Sequence, residues 1–145
     1  VQNSIMRQKI TMITLGVADI GRSRKFYEGL GWTASPKSMD DLILFDMGGL
    51  LVSLYPRTEL AEDVGVPAEG NGFSGMTLSH NTFSKAEVDQ VMGQVEALGG
   101  KVVKPAQEVF WGGYSGYFSD PEGHLIEVAL NPFWPMSEAG DVQLG

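Results

Sequence analysis

Hydrophobic and polar residues follow two regular patterns along the chain, and the order of those patterns repeats. In the first half, "KITMITLGV" at residues 9–17 alternates as a strand does, and a helix with Asp19 as its N-cap ends at Gly31. "DLILFDMG" and "LLVSLYP" predict two short strands joined at a glycine pair, and a weaker strand is expected over residues 33–38. The first half is therefore predicted as β-α-β-β-β.

The second half shows the same order. "GFSGMTLSHN" predicts a strand, and "SKAEVDQVMGQVEALGG" predicts a helix in which Ser84 and Glu87 form a capping box. The apolar face of that helix recurs at helical spacing and consists of Val88, Val91, Met92, Val95 and Leu98. "KVVKPAQEVF", "GYSGYFS" and "HLIEVAL" predict three more strands, the last after the turn "DPEG". We therefore predict an α+β fold of two tandem β-α-β-β-β units that share a core.

The stretch between the units, "RTELAEDVGVPAEGNG", is polar and contains Pro and Gly, so we interpret it as a linker or mobile flap. We predict a single domain at residues 9–133 and a C-terminal tail at 134–145. Within the domain, unit one takes about 9–56, the linker about 57–71 and unit two about 72–131.

The two units also match in sequence. "MITLGVAD" lies over "GMTLSHNT" at an offset of 63 residues, from Met12 to Gly75, and "LVSLYP" lies over "LIEVAL". The second overlay pairs Ser53 with Glu127. Of these four residues only Glu127 is charged, and it lies in an apolar alternating strand where an uncompensated carboxylate is costly.

The composition restricts the function classes. With 145 residues and a formal net charge of -8, the chain is large enough for one domain but lacks the clustered Lys and Arg that nucleic-acid binding needs. It contains no cysteine, which excludes disulfides and thiolate chemistry and makes a cytoplasmic location the expectation. No apolar run reaches the roughly 20 residues of a membrane span, so no membrane partner is expected.

Glu127 has two interpretations. As a buried carboxylate without a metal, it would act as a general base or pair with a hydrogen-bond donor or cation of a ligand. Alternatively, neighbouring hydroxyls such as that of Ser53 hold it in a structural role. Both histidines favour structural roles, because His124 follows the turn and can bond to it, and His80 fits a turn or rim position.

The stretch "VFWGGYSGYF" combines glycines with aromatic residues. Trp111, Tyr114 and Tyr117 offer flat faces and polar tips that suit a planar or cationic small molecule, although aromatic residues on strands also serve as core. Trp134, in "NPFWP", is a candidate for covering a cavity mouth or for a subunit contact.

Two stretches, "VADIGRSRKFYEGLGW" and "FWGGYSGYFSDPEGHLIEVALNPF", bracket the duplicated pattern and carry a family resemblance. Over residues 9–133 the chain resembles the glyoxalase, bleomycin-resistance and extradiol-dioxygenase superfamily, the vicinal oxygen chelate (VOC) proteins. The resemblance implies curled mixed sheets around a U-shaped cavity, where a divalent metal held by His and Glu chelates substrate oxygens. It also implies a small-molecule ligand and a homodimer.

The resemblance places the family's metal-ligand positions at Met12, Ser53, Gly75 and Glu127. Only Glu127 is a metal ligand by chemistry, because a thioether and a hydroxyl bind hard or borderline divalent ions poorly. We therefore expect the usual metal site to be degenerate and predict no cofactor, with a divalent metal disfavoured.

The expected function is that of a glyoxalase-related superfamily member with a small-molecule cavity and an unassigned reaction. One alternative is a drug-binding or sequestering protein of bleomycin-resistance type, whose ligand would be aromatic or cationic. Another is a metal-dependent lyase or isomerase of glyoxalase I type, which the residues at the ligand positions disfavour. A third is metal-free catalysis with Glu127 as the base, so the sequence leaves open whether the chain is an enzyme.

Overall fold

The computed structural model describes residues 8–74 and 76–144 of the chain. Gly75, one of the four positions singled out from the sequence, lies outside the described residues. The chain divides into two compact units between Glu69 and Gly70, a boundary inside the predicted linker. None of the described helices combines the length and the apolar composition that crossing a bilayer requires.

The described residues of unit one form a three-stranded mixed sheet and two helices. The elements are β1 (Met12–Val17), α1 (Ile20–Gly29), β2 (Ile43–Asp46), β3 (Leu51–Pro56) and α2 (Arg57–Val64). The sheet has the order β1-β3-β2, with β1 parallel to β3 and β2 antiparallel to β3.

Both ends of α1 follow the sequence signals. The Asp19 carboxylate accepts from the backbone N–H of Arg22 at 3.0 Å, which satisfies a donor of the first helical turn. At the other end, Gly31 has φ 115, and the N–H of Trp32 donates to the Tyr27 carbonyl at 3.0 Å. Only glycine adopts this left-handed conformation readily, so Gly31 ends the helix as predicted.

One face of the first sheet forms the core of unit one together with α1. Strand alternation turns Leu15, Val17 and Leu54 toward this core, where all three are buried. Phe26 and Tyr27 of α1 are also buried, and the Tyr27 ring stacks on Trp32 at 4.8 Å between centroids.

Two predictions for unit one are wrong in detail. Half of the predicted linker is the helix α2, Arg57–Val64, which contacts β1 and β3 and ends at Gly65 with φ 92. The hydrophobic pattern of α2 is weak, because Leu60 and Ala61 are partly buried and the other residues of this helix are exposed. The strand expected over residues 33–38 is reduced to a single bridge between Ala34 and Phe45.

Unit two follows the predicted β-α-β-β-β order. The elements are β4 (Leu78–Asn81), α3 (Lys85–Met92), β5 (Lys101–Glu108), β6 (Tyr114–Ser119) and β7 (Leu125–Leu130). The four-stranded mixed sheet has the order β4-β7-β6-β5, with β4 parallel to β7 and the other pairs antiparallel.

The helix α3 is shorter than the pattern predicts. Ser84 caps it as expected and accepts from the N–H of Glu87 at 3.2 Å, whereas the Glu87 carboxylate accepts from Phe83 N–H at 2.7 Å. The helix ends at Met92, and the chain continues in turns from Gly93 to residue 99. A glycine at that point weakens the helix, yet Val95 beyond it stays fully buried, so the predicted apolar face is preserved.

The turn before β7 is built around Asp120. This side chain is 2% exposed, and its Oδ1 accepts from the backbone N–H groups of Glu122 and His124, each at 2.9 Å. Gly123 closes the turn with φ 92 and a bond to the Asp120 carbonyl at 3.0 Å. The turn therefore sets where β7 begins.

We expect Asp120→Ala to lower the free energy of unfolding by about 2 kcal/mol, because two backbone donors would lose their acceptor in a part-buried turn. Asp46→Ala is the matched control, since Asp46 makes one such bond, to Gly48 N–H, at an exposed position. Its expected loss is below about 1 kcal/mol. Urea unfolding measures both, and equal losses would contradict the role given to the buried turn.

Candidate functional site

The candidate site lies on the face of the second sheet that α3 does not cover. The helix covers the other face, because the Met92 side chain packs where a Cβ on Gly116 would lie, at 3.0 Å. Side chains alternate along β6 and β7, so Tyr117 and Glu127 project from the opposite face. Strand geometry thus places Glu127 on the face away from α3.

Three oxygen-bearing side chains stand in one row across β4, β7 and β6. Register pairs Ser79 with Glu127 and Glu127 with Tyr117. Ser79 Oγ donates to Glu127 Oε1 at 3.0 Å, and the Tyr117 side chain lies beside the same carboxylate on the neighbouring strand. Burial, followed by the charge of Glu127 and its capacity to accept a hydrogen bond, raises the pKa of Tyr117. The phenol therefore keeps its proton at neutral pH next to the half-buried carboxylate.

A pocket of about 430 Å³ opens beside this row. Its volume lies within the range of small-molecule sites. Glu127 and Ala129 of β7 form its base, and Ala129 leaves room above the sheet because its side chain is small. The complete lining is Asn81, Trp111, Glu127, Ala129, Asn131, Phe133 and Trp134.

Two adjacent glycines in the β5–β6 connection hold two aromatic rings against the backbone. Gly112 has φ 96, and a Cβ there would lie 2.9 Å from Cε2 of Phe133. A Cβ on Gly113 would overlap the six-membered ring of Trp111. Both rings line the pocket, so the absence of side chains at 112 and 113 fixes where its aromatic walls stand.

The three aromatic residues predicted to form one ligand wall do not share a face. Trp111 lines the pocket, and Tyr117 lies beside Glu127. Tyr114 projects toward α3, where its phenol donates to Asp89 Oδ1 at 2.6 Å. That hydrogen bond raises the pKa of Tyr114. An odd spacing of three residues separates Tyr114 from Tyr117 on β6, which explains why they face opposite sides.

In unit one, Met12 and Ser53 share the face of the sheet opposite the α1 core. Ser53 is 0% exposed and donates to Thr14 Oγ1 at 2.8 Å, whereas Met12 is 42% exposed and pairs with Leu51. The residue beside Ser53 is therefore Thr14, and the residue beside Glu127 is Ser79. This register differs by two residues from the sequence overlay of Met12 on Gly75.

These side chains do not fit a divalent metal. The Ser53 hydroxyl bonds to Thr14, Met12 offers a thioether, and Glu127 is the one carboxylate among them. In residues 8–74 and 76–144, no group of three or more His, Cys, Asp or Glu side chains is arranged to hold a metal ion. His80 is exposed, and His124 donates its backbone N–H to Asp120. Neither histidine lines the pocket.

Several site residues escaped the sequence analysis. Ser79 and Asn81 come from β4, far from Glu127 in sequence, and only the strand register shows that they are its neighbours. Asn131 and Phe133 follow β7 directly, and the Asn131 Oδ1 accepts from Phe133 N–H at 2.9 Å. The asparagine after the last strand, followed by "PFW", was the available signal for this wall.

Comparison with known proteins agrees with this architecture. A family model described as the Glyoxalase/Bleomycin resistance protein/Dioxygenase superfamily matches residues 9–128. The anthracycline biosynthesis protein DnrV of Streptomyces peucetius is 31% identical over 120 residues, which is 79% of this chain and 44% of that protein. The chain thus spans less than half the length of this curated relative.

Solved structures show the same fold. A glyoxalase-related enzyme from Fulvimarina pelagi is 37% identical with a TM-score of 0.87, covering 95% of this chain and 99% of that chain. A lactoylglutathione lyase from Agrobacterium tumefaciens is 26% identical with a TM-score of 0.66, covering 91% of this chain and 100% of that chain. With the family model matching most of its length, the chain belongs to the glyoxalase/bleomycin resistance protein/dioxygenase superfamily.

Proposed function

We propose that this glyoxalase-related protein binds a planar aromatic small molecule in the pocket of unit two, and that Glu127 anchors a hydrogen-bond donor or a positive charge on that molecule. The observation that carries the proposal is one carboxylate at the base of a pocket whose walls include Trp111, Phe133 and Trp134. Aromatic faces favour stacking with planar groups and attract cations, and the carboxylate fixes orientation.

The charge of the pocket supports a neutral or cationic ligand over an anionic one. Glu127 is the one ionisable residue in the pocket lining, so the lining offers no basic side chain to an anion. The formal net charge of -8 adds a field that repels anions and attracts cations.

The name of the curated relative points to the same ligand class. DnrV is described as an anthracycline biosynthesis protein, and anthracyclines are planar polycyclic molecules. A ligand of this shape suits indole and phenyl walls. The proposed likeness concerns the ligand class alone, because the chain covers 44% of that relative.

Two catalytic alternatives remain beside binding. A metal-dependent lyase is favoured by the similarity to the lactoylglutathione lyase of Agrobacterium tumefaciens, but the side chains at the expected ligand positions oppose it. Metal-free catalysis would use Glu127 as a base toward a proton of the bound ligand. The homodimer implied by the family stays a prediction.

Glu127→Gln should remove the preference of the pocket for positive charge. We expect its affinity for 2-naphthylmethylammonium to fall roughly tenfold, because the amide oxygen can accept the same hydrogen bond but lacks the negative charge that strengthens it, while the affinity for naphthalene stays unchanged. Quenching of Trp111 and Trp134 fluorescence measures both dissociation constants. Trp111→Phe shows which part of the fluorescence change comes from the pocket wall. Trp32 contributes fluorescence as well, but it stacks on Tyr27 in the core of unit one.

Glu108→Gln is the matched control, because Glu108 is an exposed carboxylate of unit two that pairs with Lys85 outside the pocket lining. It should leave both affinities unchanged. Unaltered binding of the cationic probe by Glu127→Gln would refute the anchoring role. Equal losses of affinity in both variants would show that the change comes from the net charge of the protein and not from the position of Glu127.

Calorimetric titration of metal-free protein with nickel, zinc, manganese and anaerobic ferrous ion separates binding from the lyase alternative. We expect no binding at micromolar metal concentration, because a single carboxylate competes poorly with water for a divalent ion. One equivalent bound tightly by the wild type and lost in Glu127→Gln would make the metal-dependent lyase the leading function.

A further inference from the structure

In the row Ser79–Glu127–Tyr117, the side chain of Glu127 is restrained more than the binding of a ligand alone requires. Glutamate has three side-chain torsions, and fixing a side chain of this kind costs conformational entropy. Here the carboxylate is flanked by hydroxyls on the two neighbouring strands, because Ser79 Oγ donates to it at 3.0 Å and the Tyr117 phenol lies beside it. The sheet therefore restricts Glu127 before any ligand arrives.

The two hydroxyls leave the carboxylate able to accept further hydrogen bonds. An ionised carboxylate has about four lone-pair positions, and even one donor from each side would use only two of them. Glu127 also lines the pocket, where a ligand donor can reach it. The next residue of the row, Lys104 on β5, is exposed and does not belong to the pocket lining, so the two hydroxyls are the lateral contacts of Glu127 within this row.

The two flanking hydroxyls differ in their surroundings. Tyr117 is half-buried and stays protonated at neutral pH, since burial and the Glu127 charge oppose its ionisation and raise its pKa. Ser79 is exposed on β4, at the edge of the sheet. Tyr117 therefore places a neutral phenol against the carboxylate from the inner side, and the Ser79 hydrogen bond limits rotation of the carboxylate from the outer side.

We propose that Ser79 and Tyr117 are positioning residues, which orient the Glu127 carboxylate into the pocket so that it selects ligands bearing a hydrogen-bond donor over matched ligands without one. This inference rests on the proposed binding function. Preorganisation of this kind raises affinity by removing the entropy cost of ordering the anchor at the moment of binding.

The opposite effect is the physical alternative. Each hydroxyl also competes with the ligand for the same oxygens, so removal of the hydroxyls could free Glu127 to bind the ligand more strongly. Positioning and competition thus predict changes of opposite sign in the same measurement.

The experiment compares 2-naphthol with naphthalene, which differ by one hydroxyl, in the full chain at pH 7. The selectivity is the ratio of their dissociation constants, followed by tryptophan fluorescence. We expect Ser79→Ala and Tyr117→Phe each to reduce the preference for 2-naphthol about threefold, with naphthalene affinity unchanged. Ser79→Thr keeps a hydroxyl in a side chain that suits a strand, and it should retain the wild-type ratio.

Tyr114→Phe is the matched control for a structural effect. Tyr114 lies on the same strand, and its phenol donates to a carboxylate, that of Asp89, but on the face covered by α3. Its removal should shift the urea midpoint without changing the selectivity ratio. A change in the ratio equal to that of Tyr117→Phe would show that loosening β6 is sufficient and would overturn the assignment.

The variants separate the two proposals. Glu127→Leu removes both acceptor oxygens, whereas glutamine would keep one for the 2-naphthol hydroxyl. If Glu127→Leu abolishes the preference for 2-naphthol while Ser79→Ala and Tyr117→Phe leave it intact, positioning fails and anchoring stands. A higher preference in those two variants shows competition and also overturns positioning. If Glu127→Leu itself leaves the preference unchanged, the proposed function fails as well.

Discussion

Parallel pairing of the first and last strands within each unit is the constraint on which the rest of the structure depends. β1 lies beside β3 in unit one, and β4 lies beside β7 in unit two, although each pair is separated by a helix and further strands. A parallel neighbour requires a long crossover, and α1 and α3 supply it while covering one face of each sheet. The face of the second sheet that α3 does not cover then carries Glu127 beside Ser79, so topology alone brings together residues 48 apart in sequence.

Much of the fold could be predicted because helix caps and strand periods are local signals. Asp19, Gly31 and Ser84 act at the helix ends where the sequence placed them. The failures have local causes too. α2 buries little apolar surface, so its pattern resembled a polar linker, and Gly93 ends a helix whose apolar spacing continues into the following turns.

The candidate site was only partly predictable, and the reason is the two-residue period of strands. The shared letters "TL" drew the overlay of the two units two residues away from the register that the sheets adopt. A slip of two preserves the face of every residue but moves it to another row, so Met12 was placed on the correct face and Thr14 beside Ser53 was missed. Tyr114 shows the converse case, because its odd spacing from Tyr117 already implied opposite faces.

The contact of Trp111 with Gly113 has an evolutionary consequence. Any side chain at position 113 would overlap the indole and would also lie 2.7 Å from the backbone oxygen of Leu130. Because the second contact is with backbone, loss of the indole alone would leave position 113 restricted to glycine, whereas position 111 can accept smaller residues. Ligand preference in such proteins would then diverge at position 111 while the glycine stays fixed, and a small residue there would leave the pocket wider and less selective.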